Sequence, residues 1–163
     1  MSWNELLVLL GFLAVSFVAA SSGAFFKPGA WYDSLAKPWW TPPKWAFPVV
    51  WSALYVMMAV AAWRVWLAVG FAAAKTAFVI YLVQLAINAG WSAVFFGLKR
   101  MDWGMAELVA LWIGVAATII AFAPYDTVAA WLLAPYLLWV TIAGALNLAM
   151  IRLNPSSRAV TQP

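Results

Sequence analysis

Tyr81, Gln84, Asn88, Trp91 and Phe95 recur at intervals of three and four within an apolar stretch, which places all five on one face of a helix. Amides in such surroundings need hydrogen-bonding partners, supplied either by other helices or by a polar ligand. Two further stripes share the spacing: Phe47, Trp51, Tyr55 and Met58 in an earlier stretch, and Tyr136, Trp139, Ala143, Asn147 and Met150 in the last. Together they offer flat apolar faces, hydroxyls and amides, which suit stacking on a planar molecule and hydrogen-bonding to its polar groups. Ala143 and Gly144 leave room for such a ligand beside Trp139. Ordinary packing between helices is the alternative for each stripe, and the residues alone leave both readings open.

The missing residue types narrow the chemistry. The 163-residue chain contains no cysteine and no histidine, which excludes disulfides, thiol nucleophiles, imidazole bases and the commonest haem and transition-metal ligands. No metal site and no required cofactor follow. Asp33, Asp102, Glu107 and Asp126 are expected at span ends or in connections, so paired-carboxylate catalysis and a midplane proton relay lack residues. The only catalytic route these side chains support is photochemical, with Trp51 and Trp139 donating electrons to an excited bound pigment.

Hydrophobic residues make up 67% of the chain and charged residues 9%, far from a soluble composition, and mean hydropathy is +0.93. The fold class is therefore an all-α membrane protein: a five-transmembrane-helix bundle with a long structured loop between helices 1 and 2. Charge-free stretches of about twenty residues place the spans near 5–26, 44–67, 75–98, 104–124 and 127–152 of one domain covering 1–154. Pro135 is expected to kink the fifth span, and 155–163 form a polar, flexible C-terminal tail. Trp3, Trp103 and Trp131 sit at span ends as interfacial anchors. The net charge of +4 forms no basic stripe, which argues against nucleic acid. Lys27, Lys37, Lys44, Lys99, Arg100, Arg152 and Arg158 share one side and only Arg64 and Lys75 the other, predicting an N-terminus outside and a cytoplasmic C-terminus.

The segment Trp31 to Tyr55 holds five of the thirteen tryptophans and four of the nine prolines. Proline stiffens the backbone and tryptophan supplies flat faces, so Trp31 to Pro43 reads as a rigid lid, and Trp45 to Tyr55 as the start of a helix that walls a pocket. Lys37, Lys44, Lys99 and Arg100 at its rim could attract a ligand carboxylate. Ala86 and Gly90 form a small-x-x-x-small pair suited to close helix approach in a dimer.

W-Y-x-x-L-x-K-P-x-W-x-P-P followed by F-x-x-V-W-x-x-L-Y, then Q-L-x-x-N-x-x-W-x-x-x-F-F-G, then P-Y-L-x-W-x-x-x-A-x-x-L-N resemble, in order, the tryptophan-rich sensory protein and translocator protein family. That family is also known as TspO/MBR or the peripheral benzodiazepine receptor family, and the resemblance covers almost the whole chain. It implies a five-helix bundle, commonly a homodimer, in a bacterial cell envelope. Beneath the first loop it implies a cavity for porphyrins such as protoporphyrin IX, or for synthetic isoquinolines and benzodiazepines. Carried over by motif, ligand-binding falls to Trp39, Trp51, Tyr55, Asn88, Trp91, Trp139 and Ala143, with Tyr32, Pro42 and Pro43 in the lid. The implied role is a tetrapyrrole receptor or transporter with a sensory function; light-dependent porphyrin degradation and a non-catalytic scaffold or sterol-binding role are the alternatives. The sterol role is the weakest, because Leu146 to Arg152 places leucine where the proposed cholesterol motif of animal members needs tyrosine.

Overall fold

A computed structural model describes residues 2–155, so all of the expected tail except Pro155 lies outside the described residues. The described chain has seven α-helices: α1 (Trp3–Phe25), α2 (Ala30–Ser34), α3 (Ala46–Ala73), α4 (Lys75–Ser92), α5 (Met101–Phe122), α6 (Thr127–Leu132) and α7 (Ala134–Leu153). A π-helical turn, Ala93–Gly97, extends α4, and α6 and α7 follow one another as one path. Five segments result that are long and apolar enough to cross a membrane, the shortest of 22 residues.

Local chemistry sets the helix ends. Ser2 and Glu5 form a reciprocal capping box that starts α1, and Asp126 accepts from the Ala129 N–H to start α6. Pro48, the third residue of α3, needs no donor there. Gly70 takes a φ of 72°, open to glycine without strain, and interrupts regular helix near the end of α3.

Several boundaries differ from those expected. The fifth span is not one kinked helix: Pro135 sits in the first turn of α7, where its missing N–H costs nothing, and a break at Leu133 separates α6. The helix of the fourth span begins at Met101 rather than near 104, so Asp102 lies in its first turn, at the span end as expected, and Glu107 lies further into the helix. A helix continues through a charged residue, whereas an apolar run stops there. Glu107 points at Gly90 of α4: a Cβ added at Gly90 would meet its Oε1 at 2.6 Å. The Gly90 notch is thus filled from within the chain, while Ala86 is exposed, so the two do not form one open interface.

Two more glycines bring α4 and α5 together. A Cβ at Gly104 would meet the Phe95 ring at 2.8 Å, and one at Gly114 would meet the Gln84 Cβ at 2.9 Å. Helix α1 packs on α3 and α4, α5 packs on α7, and α3 closes the ring against α6. At that closure Arg64 grips Asp126 with both carboxylate oxygens, at 3.3 and 2.8 Å. One core layer lies at mid-bundle, around Met58, Tyr81, Leu111, Phe122 and Tyr136. The second lies beneath the first loop, around Tyr32, Leu35, Phe95, Met101, Leu146 and Met150. Large apolar side chains elsewhere face outward, Phe17, Val18 and Ile120 among them, with Trp3, Trp103 and Trp131 exposed at the span ends. An apolar exterior with tryptophans at its rims matches a lipid-facing surface, as expected of a multi-pass membrane protein.

Asp126 both caps α6 and pairs with Arg64, and the two roles can be separated. Partial burial opposes its charged form, but the Ala129 N–H and the Arg64 guanidinium outweigh that and hold its pKa below the usual aspartate value. Asp126→Asn should keep the cap and lose the ion pair, and Asp126→Ala should lose both and be less stable than Asn by about 1 kcal/mol. Thermal melts in detergent measure this. The advantage of wild type over Asp126→Asn should be complete above the usual aspartate range and vanish as pH falls through the lowered pKa.

Candidate functional site

At the loop end α3 and α7 approach each other through aromatic side chains, with little close backbone packing between them. Phe47 of α3 meets Trp139 of α7 edge to face, with centroids 5.8 Å apart. One turn deeper Trp51 meets Tyr136 at 5.9 Å and Tyr55 at 5.7 Å. These separations are typical of favourable aromatic pairs, each worth about 0.5–1.5 kcal/mol beyond area burial. The wall residues Trp51, Tyr55, Trp139 and Ala143 are all half-buried.

Beneath this aromatic layer a polar chain crosses the bundle. The Tyr55 hydroxyl donates to Asn88 Oδ1, Asn88 Nδ2 donates to the Tyr136 hydroxyl at 2.6 Å, and that hydroxyl donates to Gln84 Oε1 at 3.2 Å. Both amides of the α4 stripe are therefore bonded to other helices, as the packing reading expects. These bonds engage one of the two Asn88 N–H donors and one lone pair of its Oδ1, so both atoms already have a partner within the bundle. Tyr81 of the same stripe lies 3.4 Å from the Ser16 hydroxyl of α1.

Unused hydrogen-bonding capacity lies nearer the loop. Trp91 stacks on Phe95 at 5.0 Å, and its Nε1 is buried with no partner among the described residues. Asn147 donates to the Met101 carbonyl at 3.0 Å, while its Oδ1 is buried and likewise unpartnered. The third such atom is Glu107 Oε2. Buried polar atoms of this kind call for an explanation, and a bound polar molecule is one. Among the described residues no three His, Cys, Asp or Glu side chains gather in a metal-binding arrangement.

The first loop covers this end. Tyr32 and Leu35 are buried, and Tyr32 packs edge-on against Phe96 at 5.6 Å and Phe95 at 6.3 Å. Burial raises the Tyr32 pKa, and the neighbouring Asp33 charge adds to the effect. The loop is braced internally: Lys44 binds Asp33 at 2.6 Å, and Lys37 donates to the Leu35 carbonyl at 3.0 Å while lying 4.6 Å from the Tyr32 ring centroid. The Lys44 hydrogen bond lowers the Asp33 pKa. Arg100 holds Asp102 with two bonds, at 2.8 and 2.6 Å. Three of the four rim cations, Lys37, Lys44 and Arg100, thus bind protein groups in this structure.

The structure brings Trp51, Tyr55, Asn88, Trp91, Trp139 and Ala143 to one end of the bundle, with Tyr32 above them. Trp39 is not among them. It is 96% exposed on the outer side of the loop, because the Pro38–Thr41 turn directs it away from the cluster that Tyr32 and Leu35 enter. Pro42 is half-buried and Pro43 exposed. Tyr136 and Gln84 belong to the stripes but were not assigned as site residues; their spacing relative to Trp139 and Asn88 was the available signal. Phe96 enters the sequence reading only as part of the F-F-G motif and Asn154 has no role in it, although Asn154, polar at the end of an apolar run and followed by proline, carries a helix-end signature. At the opposite end a shallow recess is lined by Arg64, Leu67, Ala68 and Asp126, whose charges already satisfy each other.

The model of the TspO/MBR family matches residues 7–153. A tryptophan-rich sensory protein of Cereibacter sphaeroides is 46% identical over 155 residues, covering 93% of this chain and 96% of that protein. Protein CrtK of Rhodobacter capsulatus is 46% identical over 93% of this chain and 98% of its own length. The human translocator protein is 34% identical, with 89% of each chain covered.

Removing one member of the polar chain should strand its neighbours. Tyr136→Phe leaves Gln84 Oε1 without a donor and Asn88 Nδ2 without an acceptor, and should destabilise the bundle by about 1–3 kcal/mol in thermal denaturation. Because they share Asn88, Tyr55→Phe and Tyr136→Phe together should cost a different amount from the sum of the single losses.

Proposed function

Because the chain belongs to the TspO/MBR family, we propose that it is a membrane receptor or carrier for a planar tetrapyrrole, with protoporphyrin IX as the representative ligand. The ligand enters the seam between α3 and α7 and stacks against Trp51 and Trp139. The observation that carries this reading is the seam itself: two helices bridged by aromatic rings, in a bundle where Trp91 Nε1 and Asn147 Oδ1 are buried without partners among the described residues. A flat macrocycle replaces ring-to-ring contacts with its own faces, so little aromatic stacking is lost on entry. Ala143 keeps the α7 side narrow enough in profile to accept it.

The polar edge of the ligand has a matching rim. Lys44 pairs with Asp33 across largely exposed side chains, and exposed pairs contribute at most about 1 kcal/mol, so exchanging Asp33 for a ligand carboxylate costs little. The names of the relatives, a sensory protein and a translocator, fit a site that reports on or passes along such a molecule. Cation bias supports a cytoplasmic position for the loop and for the mouth of the site.

Titration of the purified protein in lipid nanodiscs with protoporphyrin IX, followed through the porphyrin absorption band, tests the assignment. Trp51→Phe and Trp139→Phe should each weaken binding about tenfold, corresponding to ~1.4 kcal/mol of lost contact. Trp39→Phe, on the outer face of the loop, should change affinity less than about twofold. Wild-type affinity in both wall variants would remove the seam as the site.

A further inference from the structure

Asn154 ends α7, and among the described residues its side chain makes three hydrogen bonds. Its Oδ1 accepts from the Ala36 N–H at 2.9 Å, and its Nδ2 donates to the Ala36 carbonyl at 2.9 Å and to the Met150 carbonyl at 2.8 Å. One amide therefore satisfies both backbone groups of a loop residue 118 positions away while also capping the helix that carries Trp139, Ala143 and Asn147. Among the described residues, the other side-chain hydrogen bonds of the loop run within it: Ser34 to Trp31, Lys37 to Asp33 and Leu35, Thr41 to Pro38, and Lys44 to Asp33. Among the described residues the loop is thus a braced unit that docks on the bundle through two kinds of contact, the apolar side chains of Trp31, Tyr32 and Leu35 and the amide of Asn154.

These contacts differ in what they fix. Apolar docking of Tyr32 and Leu35 is non-directional and tolerates sliding. A two-point amide-to-backbone bond holds one residue in one register, as a pair of strand hydrogen bonds does. Ala36 follows directly after Leu35, so the amide holds the loop where it covers the second core layer, immediately beside the seam.

We propose that Asn154 is the latch of the loop: its bond to Ala36 holds the lid closed over the seam, and release of that bond admits and discharges the ligand. The gating role rests on the binding site proposed above; the latch itself does not. Asn154 is a positioning residue that touches the lid rather than the ligand.

The chain contains no cysteine, so a single introduced thiol is the only one present. Ala143→Cys places it in the seam, and its reaction with N-ethylmaleimide in nanodiscs reports opening without any ligand. Adding Asn154→Ala should speed that reaction about tenfold, the effect of losing the Ala36 hydrogen bonds on an opening equilibrium. Asn154→Asp retains an acceptor for the Ala36 N–H but no donor for its carbonyl, and should fall in between; it also carries the test if the alanine variant does not fold. Val65→Cys, buried near the opposite end, should react at the same rate with or without Asn154→Ala. Equal rates at Ala143→Cys, zero included, or an equal rise at Val65→Cys, would overturn the latch.

Protoporphyrin IX association and dissociation in the same variants separate the two claims. Faster entry and faster exit with similar affinity in Asn154→Ala support the gate. A faster thiol reaction in a protein that binds no porphyrin keeps the latch and removes the ligand assignment. Unchanged thiol and porphyrin rates keep the ligand assignment and remove the latch.

Discussion

The structure depends on pairing two amides in a membrane interior. Gln84 and Asn88 sit on α4 where lipid and apolar side chains offer them nothing, and each unpaired group would cost about 1–3 kcal/mol. Their partners are Tyr55 from α3 and Tyr136 from α7, so satisfying the amides fixes how both helices are rotated. Once Tyr55 faces Asn88, Trp51 one turn earlier faces the same interior, and once Tyr136 faces Gln84, Trp139 and Ala143 follow. The network that holds the bundle together thereby aims the aromatic wall. Packing and pocket are two consequences of one arrangement, and Trp91 Nε1 and Asn147 Oδ1 are among the buried polar atoms without a partner among the described residues.

The ends of the α3 to α7 seam are built for different purposes. At one end Arg64 binds Asp126 and α6 packs directly on α3. Between α6 and α7 the chain breaks at Leu133, with Pro135 starting the new helix, so α7 need not follow the line of α6 along α3. At the other end aromatic rings fill the separation and the braced loop covers it. Clamping one end while leaving contacts at the other to exchangeable ring pairs confines adjustment to the region that the lid controls.

Much of this was legible in the sequence, for an identifiable reason. A helix has a fixed period, so the spacing of Gln84, Asn88 and Trp91, or of Trp51 and Tyr55, already states which side chains share a face. The five spans and the TspO/MBR resemblance followed from the same chain, and the family model confirms the latter. Helix ends were less legible, because the apolar run stops at Glu107 whereas backbone hydrogen bonding continues to Met101. The exposure of Trp39 was not legible, because a proline-rich loop has no period to say which way a side chain points. Two of the three rim lysines, Lys37 and Lys44, bind Leu35 and Asp33, partners that depend on how the loop folds back on itself. Asn154 binds a residue in another part of the chain, which no local pattern announces.

The most direct test of the account is a structure of the protein in lipid with protoporphyrin IX bound. It should show the macrocycle between Trp51 and Trp139, the Trp51–Tyr136 contact opened, and partners at Trp91 Nε1 and Asn147 Oδ1, with the Tyr55–Asn88–Tyr136 chain intact. A macrocycle lying on the outer, lipid-facing surface while the Trp51–Tyr136 and Phe47–Trp139 pairs stay closed would contradict it.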